Sequence, residues 1–155
     1  MLQVGATAPA FTLYDADKKE RRLSEFLVKG KRTILAFYPG AFTSVCTAEF
    51  CTFRDMWGDL EKMNAILVGI SVDPPFAQKA FAEKYGFKFP LLCDFNRKVT
   101  QEYGLIWHNL GDVKGYDVSN RAVFTVDDAG KVLYSWIASS PGVAPDFEGI
   151  RKSLI

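Results

Sequence analysis

Two patterns of apolar residues alternate along this chain. Continuous runs rich in β-branched and aromatic side chains, RTILAFYP (Arg32 to Pro39) and NAILVGISVD (Asn64 to Asp73), have the length and composition of strands buried on both faces. Pro39 ends the first of them. Between the runs the spacing turns helical: from Ser44 to about Met63, residues Val45, Phe50, Phe53, Trp57 and Leu60 supply one broad apolar face. Asp73-Pro74-Pro75 then opens a second helix over FAQKAFAEKYG, which closes at Gly86. FPLLCD predicts a third buried strand, and NRKVTQEYG a short helix ending at Gly104.

Period-two alternation marks the two ends. FTLYDADKKERRLSEF alternates, breaks at the Asp15 to Lys18 turn and resumes, which predicts a short hairpin leading into the body. RAVFTVDDAGKVLYSWIA is a second hairpin turning at Asp128-Ala129-Gly130, and APDFEGIRKSLI forms a last helix. LIWHNLGDVKGYDVSN has no period and is expected to be a long loop. This order, β-α-β followed by β-β-α, predicts an α/β protein with a mixed central sheet flanked by helices and an N-terminal β-hairpin. It is the order of a thioredoxin-like fold. Without repeat, linker or low-complexity tract, residues 1–155 are expected to form one domain.

The composition, 48% hydrophobic and 24% charged, suits a packed core rather than a disordered chain. A net charge of +1 with both signs interspersed offers no electrostatic footprint for nucleic acid or an anionic membrane. No stretch is long and apolar enough to span a bilayer, and MLQVGATAPAFTLYD has neither the basic nor the apolar region of a secretory signal. The expected location is cytoplasmic. Three cysteines, an odd number, argue against a disulfide framework and leave the thiols catalytic or incidental.

Two of those cysteines lie in one helix. If it begins near Thr43 or Ser44, Cys46 occupies the first turn, where free backbone N–H groups and the positive end of the macrodipole favour a thiolate. Such placement can bring a cysteine pKa from about 8.5 into a range of roughly 3.5 to 7.5. Thr43 can cap the helix, point its hydroxyl at the sulfur, or do both.

The run Pro39-Gly40-Ala41-Phe42-Thr43-Ser44-Val45-Cys46, following a hydrophobic strand and followed by Thr47-Ala48-Glu49, resembles the P-x-x-x-T-x-x-C active-site signature of the peroxiredoxins. GATAPAFTL, GISVD and RAVFTVDDAGKV extend the resemblance over nearly the whole chain, and the Cys46 to Cys51 spacing is similar to the peroxiredoxin Q branch, also called bacterioferritin comigratory proteins. The resemblance implies a thioredoxin-dependent peroxidase acting on hydrogen peroxide and small organic hydroperoxides, without metal, haem or flavin. Cys46 is then the peroxidatic nucleophile. Thr43 hydrogen-bonds sulfur and peroxide, Pro39 shields the pocket from water, and Arg121, opening RAVFTVD, holds the thiolate and polarises the peroxide with fixed donors. Glu49, one turn past Cys46, orients such an arginine through a charge-assisted pair.

Within the same resemblance, Cys51 resolves the Cys46 sulfenic acid as an intrachain disulfide, which a thioredoxin-like reductant reopens. Geometry adds a condition. Residues five apart on an ideal helix have Cα atoms roughly 8 to 9 Å apart, against about 4.4 to 6.8 Å across a disulfide, so pairing requires the helix start to unwind. Cys93 competes for the resolving role, with a small buried residue at a strand end as its plainer reading; Cys51 too has a plainer reading, a core-facing helix residue.

Other chemistry is weaker. His108 reads as a solvated or packing loop residue, Lys18 to Arg22 as a solvated hairpin face, and Phe42, Trp57 and Trp107 as core aromatics before a site mouth or dimer contact. No His, Cys or carboxylate cluster has metal-ligand spacing, and GDVKG is too short for a phosphate loop. Three rivals to the two-cysteine peroxidase stand beside it: a thioredoxin-like disulfide oxidoreductase, disfavoured by the missing C-x-x-C; a peroxide-responsive redox sensor or holdase; and a one-cysteine peroxidase with no internal resolving thiol. No cysteine follows Cys93, which leads to the expectation of a monomer or small homodimer.

Overall fold

The computed structural model describes residues 2–155. A seven-stranded mixed sheet runs in the order β2 (Glu20–Arg22), β1 (Thr12–Asp15), β5 (Leu91–Cys93), β4 (Ala65–Ser71), β3 (Arg32–Phe37), β8 (Ala122–Val126), β9 (Val132–Ile137). Its centre is β3, parallel to β4 and antiparallel to β8. The expected N-terminal hairpin, β1 with β2, forms one edge and joins β5; β9 pairs with β8 to form the other.

Alternation along the central strands sends side chains into two cores. Ile34 and Ala36 of β3, Leu67 of β4 and Val123 of β8 face one side, where they meet Phe50 and Phe53 of α2 (Ser44–Asp55), Leu60 of α3 (Trp57–Lys62), Phe81 of α4 (Pro75–Tyr85) and Ile150 of α6 (Phe147–Lys152). Leu35, Phe37, Val68, Ile70 and Phe124 face the other, against Leu23 and Phe26 of α1 (Leu23–Phe26) and Val99 of α5 (Lys98–Glu102). Burial on both faces is why these strands read as unbroken apolar runs rather than alternating ones.

Gly69 in β4 sets how closely α2 approaches the sheet. A Cβ there would lie 2.6 Å from a Leu91 methyl and 2.9 Å from the Phe50 ring. The absent side chain lets Phe50, one turn beyond Cys46, sit directly on the strand, with its ring 4.4 Å from that of Tyr38 between centroids.

Two expectations need correction. The helical stretch from Ser44 to Met63 is two helices, because Met56 (ψ −5°) separates α2 from α3; its buried stripe is Cys46, Glu49, Phe50, Phe53 and Leu60, with Val45 only half-buried. The 105–120 segment is not a plain loop: β6 (Ile106–Trp107) pairs antiparallel with β7 (Val118–Ser119) around a 3-10 turn at Leu110–Asp112. Strands of two residues carry too little pattern to reveal a period.

Candidate active site

β3 ends beneath Pro39, and the chain makes a tight loop before entering α2. Asp73, just past β4, holds that loop: its Oδ2 accepts the Ala41 backbone N–H at 2.8 Å and the Ser71 hydroxyl at 2.6 Å. Phe42 takes a left-handed backbone conformation (φ 67°), uncommon for a bulky residue, and turns its ring outward against Phe81, 5.2 Å between centroids. Expected among core aromatics, Phe42 is instead 46% exposed, because that backbone turn points it away from the sheet. Trp57 and Trp107 are half-buried.

Thr43 is the N-cap residue of α2 but makes no capping bond with its side chain. Its hydroxyl donates to the Gly40 carbonyl at 2.8 Å. A hydroxyl carries one proton, so Thr43 closes the loop while Cys46 is a thiol and can turn that proton to the sulfur when a thiolate forms.

Cys46 lies in the first turn of α2, fully buried, with Sγ accepting from Arg121 Nη2 at 3.2 Å. Arg121 is itself only 1% exposed. Its Nη1 donates to Glu49 Oε1 at 2.6 Å, while Nε and Nη2 donate to the Pro141 carbonyl at 3.1 and 2.8 Å. Asn120 steadies the backbone there, accepting from Arg121 N and donating to Ala138 O, both at 2.8 Å. The planar fork therefore meets a thiol, a carboxylate and a carbonyl at once, which an ammonium could not do with the same geometry.

The electrostatics differ from the expectation of a lowered thiol pKa. Burial pushes the Cys46 thiol above its ordinary value, and the opposing pulls of the Arg121 charge, Thr43, a Gly40 backbone hydrogen bond and the Arg121 hydrogen bond do not fully offset it. Desolvation wins because the Cys46 side chain is fully buried. Burial also raises the Glu49 carboxyl, to about 7, against the pull of Arg121.

Beside Arg121 a mostly apolar cleft of about 240 Å3 opens between Pro39, Thr43, Val45, Leu110, Gly111 and Pro141. Pro39 is buried on one wall. The cleft is small, and the Arg121 guanidinium lies on its wall.

Cys51 sits further along α2, half-buried and unbonded, and the helix is unbroken between it and Cys46. Cys93 is 1% exposed at the end of β5, with its thiol pushed up to about 12 by burial and by the Asp73 and Asp15 charges. Its environment is that of an inert core residue. His108 is exposed, pairing with Asp117 at 3.0 Å. Among the described residues no group of three or more His, Cys, Asp or Glu could hold a metal, and no helix is long and apolar enough to cross a membrane.

Sequence reasoning named Pro39, Thr43, Cys46, Glu49 and Arg121, which the structure brings together, and Cys51, which it keeps apart from Cys46. It missed Asp73, read only as a helix opening, and the Pro141 carbonyl, which has no side-chain signature.

Comparison with known proteins follows the same lines. Residues 4–135 match the AhpC/TSA family. A putative peroxiredoxin bcp of Coxiella burnetii is 36% identical over 135 residues, 87% of this chain and 88% of that protein. The chloroplastic peroxiredoxin Q of Populus jackii is 40% identical over 128 residues, 83% of this chain but 57% of the plant protein. Among solved structures, peroxidoxin BcpB from Mycobacterium tuberculosis is similar with a TM-score of 0.83 at 35% identity, covering 99% of this chain and 95% of that one.

Proposed function

The chain belongs to the AhpC/TSA family of peroxiredoxins and is a thiol-dependent peroxidase, and we propose that Cys46 is its peroxidatic nucleophile and that Cys51 resolves the oxidised sulfur. The observation that supports this most is the Arg121 guanidinium held 3.2 Å from Cys46 Sγ beside an apolar cleft.

In this reading a hydroperoxide enters the cleft and the Cys46 thiolate attacks its distal oxygen. The S–O bond forms as the O–O bond breaks, sulfur is oxidised to the sulfenic acid, and the departing oxygen leaves as water or an alcohol after taking a proton. Arg121 faces both the nucleophile and the place where negative charge develops, and such donors act strongly in a site that excludes water. Thr43 supplies a hydrogen bond to sulfur or peroxide, and Pro39 keeps water off the thiolate.

Resolution is proposed to need the first turns of α2 to unwind. That brings Cys51 to the sulfenic acid, releases water and forms an intrachain disulfide for a thioredoxin-like reductant to open. A monomer or small homodimer in the cytoplasm is the setting proposed for this cycle, with hydrogen peroxide and small organic hydroperoxides as substrates. A redox sensor or holdase would use the same oxidised helix without turnover, and a one-cysteine enzyme would leave Cys51 free.

Peptide mapping after stoichiometric peroxide, without reductant, tests the scheme. A Cys46–Cys51 disulfide is expected. Oxidised Cys46 beside a persistently free Cys51 would overturn the resolving role.

A further inference from the structure

We infer that Cys46 and Glu49 share a single proton across Arg121, and that the reactive site is a thiolate facing a neutral Glu49. The inference rests on Cys46 being the nucleophile.

Arg121, 1% exposed, stays protonated. It faces two buried acids, Cys46 through Nη2 at 3.2 Å and Glu49 through Nη1 at 2.6 Å. With both acids ionised, two negative charges share one positive charge in a place that solvent does not reach. With one ionised, the site is neutral. Burial makes the difference costly, so the second ionisation is resisted whichever acid goes first.

Glu49 carries a mark of this imbalance. Its Oε1 is bonded to Arg121, yet Oε2 is buried and has no hydrogen-bond partner among the described residues. An ionised carboxylate with one bare buried oxygen is poorly solvated, whereas a proton on Oε2 removes the charge and leaves Oε1 free to accept from Arg121. Arg121 keeps its place, and its charge becomes available to sulfur.

Among the described residues, Arg121 is the cation that Cys46 and Glu49 meet. It comes just before β8. Behind Cys46, at the end of β3, stands Tyr38, whose hydroxyl burial holds well above its usual pKa and which stays neutral. Asp73 lies behind Tyr38 and is occupied by Ala41 and Ser71. The groove beside Glu49 is lined by uncharged side chains, among them Val45, Ala48, Thr52 and Phe147 of α6. Cys46 and Glu49 are three apart on one helix, a spacing at which Cβ atoms lie about 5 to 6 Å apart, so the charge of each opposes that of the other.

The proton that leaves Cys46 Sγ therefore need not leave the site, since Glu49 can hold it. This gives Glu49 the opposite sign from a residue that only orients the arginine: its ionised form suppresses the thiolate.

Glu49→Gln keeps the shape and one oxygen acceptor while removing the charge. Thiolate absorbance of Cys46 is titrated in a background carrying Cys51→Ser and Cys93→Ser, with and without Glu49→Gln. The expected result is a Cys46 pKa lower by a unit or more in the Gln protein, about tenfold more thiolate below that pKa. An unchanged or raised pKa overturns the inference, being what a purely orienting Glu49 produces.

Infrared titration of the unsubstituted protein gives an answer that does not depend on the variant folding. A protonated-carboxyl band persisting to near neutral pH supports the shared proton; all carboxyls titrating in their ordinary range overturns it. Neither measurement uses peroxide turnover, so failure here is distinct from loss of the nucleophile assignment, which turnover by a Cys46→Ser chain would bring.

Discussion

Arg121 Nη2 reaches Cys46 Sγ at 3.2 Å across 75 positions of sequence because of strand register. β8 runs antiparallel to β3 with Ala122 opposite Phe37, so Arg121 arrives level with Tyr38, where the chain leaves the sheet for the Pro39 loop and α2. The site is thus assembled at the end of two neighbouring central strands, and its arginine is positioned by the most buried part of the fold.

Replacing Arg121 by lysine should keep a cation but lose the fork that serves Cys46, Glu49 and the Pro141 carbonyl together. The second-order rate with hydrogen peroxide, followed by rapid mixing, is expected to fall by about a hundredfold or more. A rate equal to that of the parent protein would place Arg121 outside the reacting site.

Asp73→Asn tests the loop support. An amide retains the size but weakens the charge-assisted bonds to Ala41 N–H and the Ser71 hydroxyl. A small displacement of the loop misaligns Pro39 and Thr43, so the peroxide rate should drop by roughly ten- to a hundredfold while the fold is retained by circular dichroism. An unaffected rate would confine Asp73 to structure.

Glu49 also predicts a pH dependence of stability. Its folded-state pKa, about 7, lies above the ordinary carboxyl value, so the folded chain binds that proton more tightly than the unfolded chain. The stabilisation is present in full below the unfolded pKa and is lost as pH rises through about 7. Denaturant melts from about pH 4 to about pH 8 should show the parent losing stability relative to Glu49→Gln by a few kcal/mol. Parallel profiles for the two proteins would contradict it.

Cys51→Ser should leave the first reaction with peroxide unchanged and stop the cycle afterwards. Sulfenic acid then accumulates on Cys46 and advances to sulfinic acid with excess peroxide, visible as successive oxygen additions by mass spectrometry. Sustained turnover with a thioredoxin system would show that another thiol resolves.

Much of this architecture was legible in the residues themselves. The runs at Arg32 to Pro39 and Asn64 to Asp73, the Asp128 to Gly130 turn and the Gly86 helix stop each became the expected element, since buried strands, tight turns and left-handed caps tie residue type closely to backbone shape. The break at Met56 was hidden because apolar spacing continues across it. At the site, Cys46, Thr43 and Pro39 were named through a local signature, and Arg121 through resemblance, its partner lying 75 positions away. Asp73 and Pro141 act through a carboxylate on a turn and a main-chain carbonyl, and neither leaves a pattern that spacing can reveal. The raised thiol pKa was equally out of reach, because it depends on how completely Tyr38, Phe50 and Arg121 bury the sulfur rather than on its place in the helix.

Everything proposed for this site depends on Cys46 Sγ, held by Arg121, being the atom that meets peroxide. Peroxide consumption with thioredoxin and its reductase, comparing the parent protein with Cys46→Ser, tests it most directly. Many turnovers are expected for the parent and none above background for the serine protein, with Cys51 and Cys93 remaining unoxidised in the latter. Substantial turnover by Cys46→Ser would contradict it.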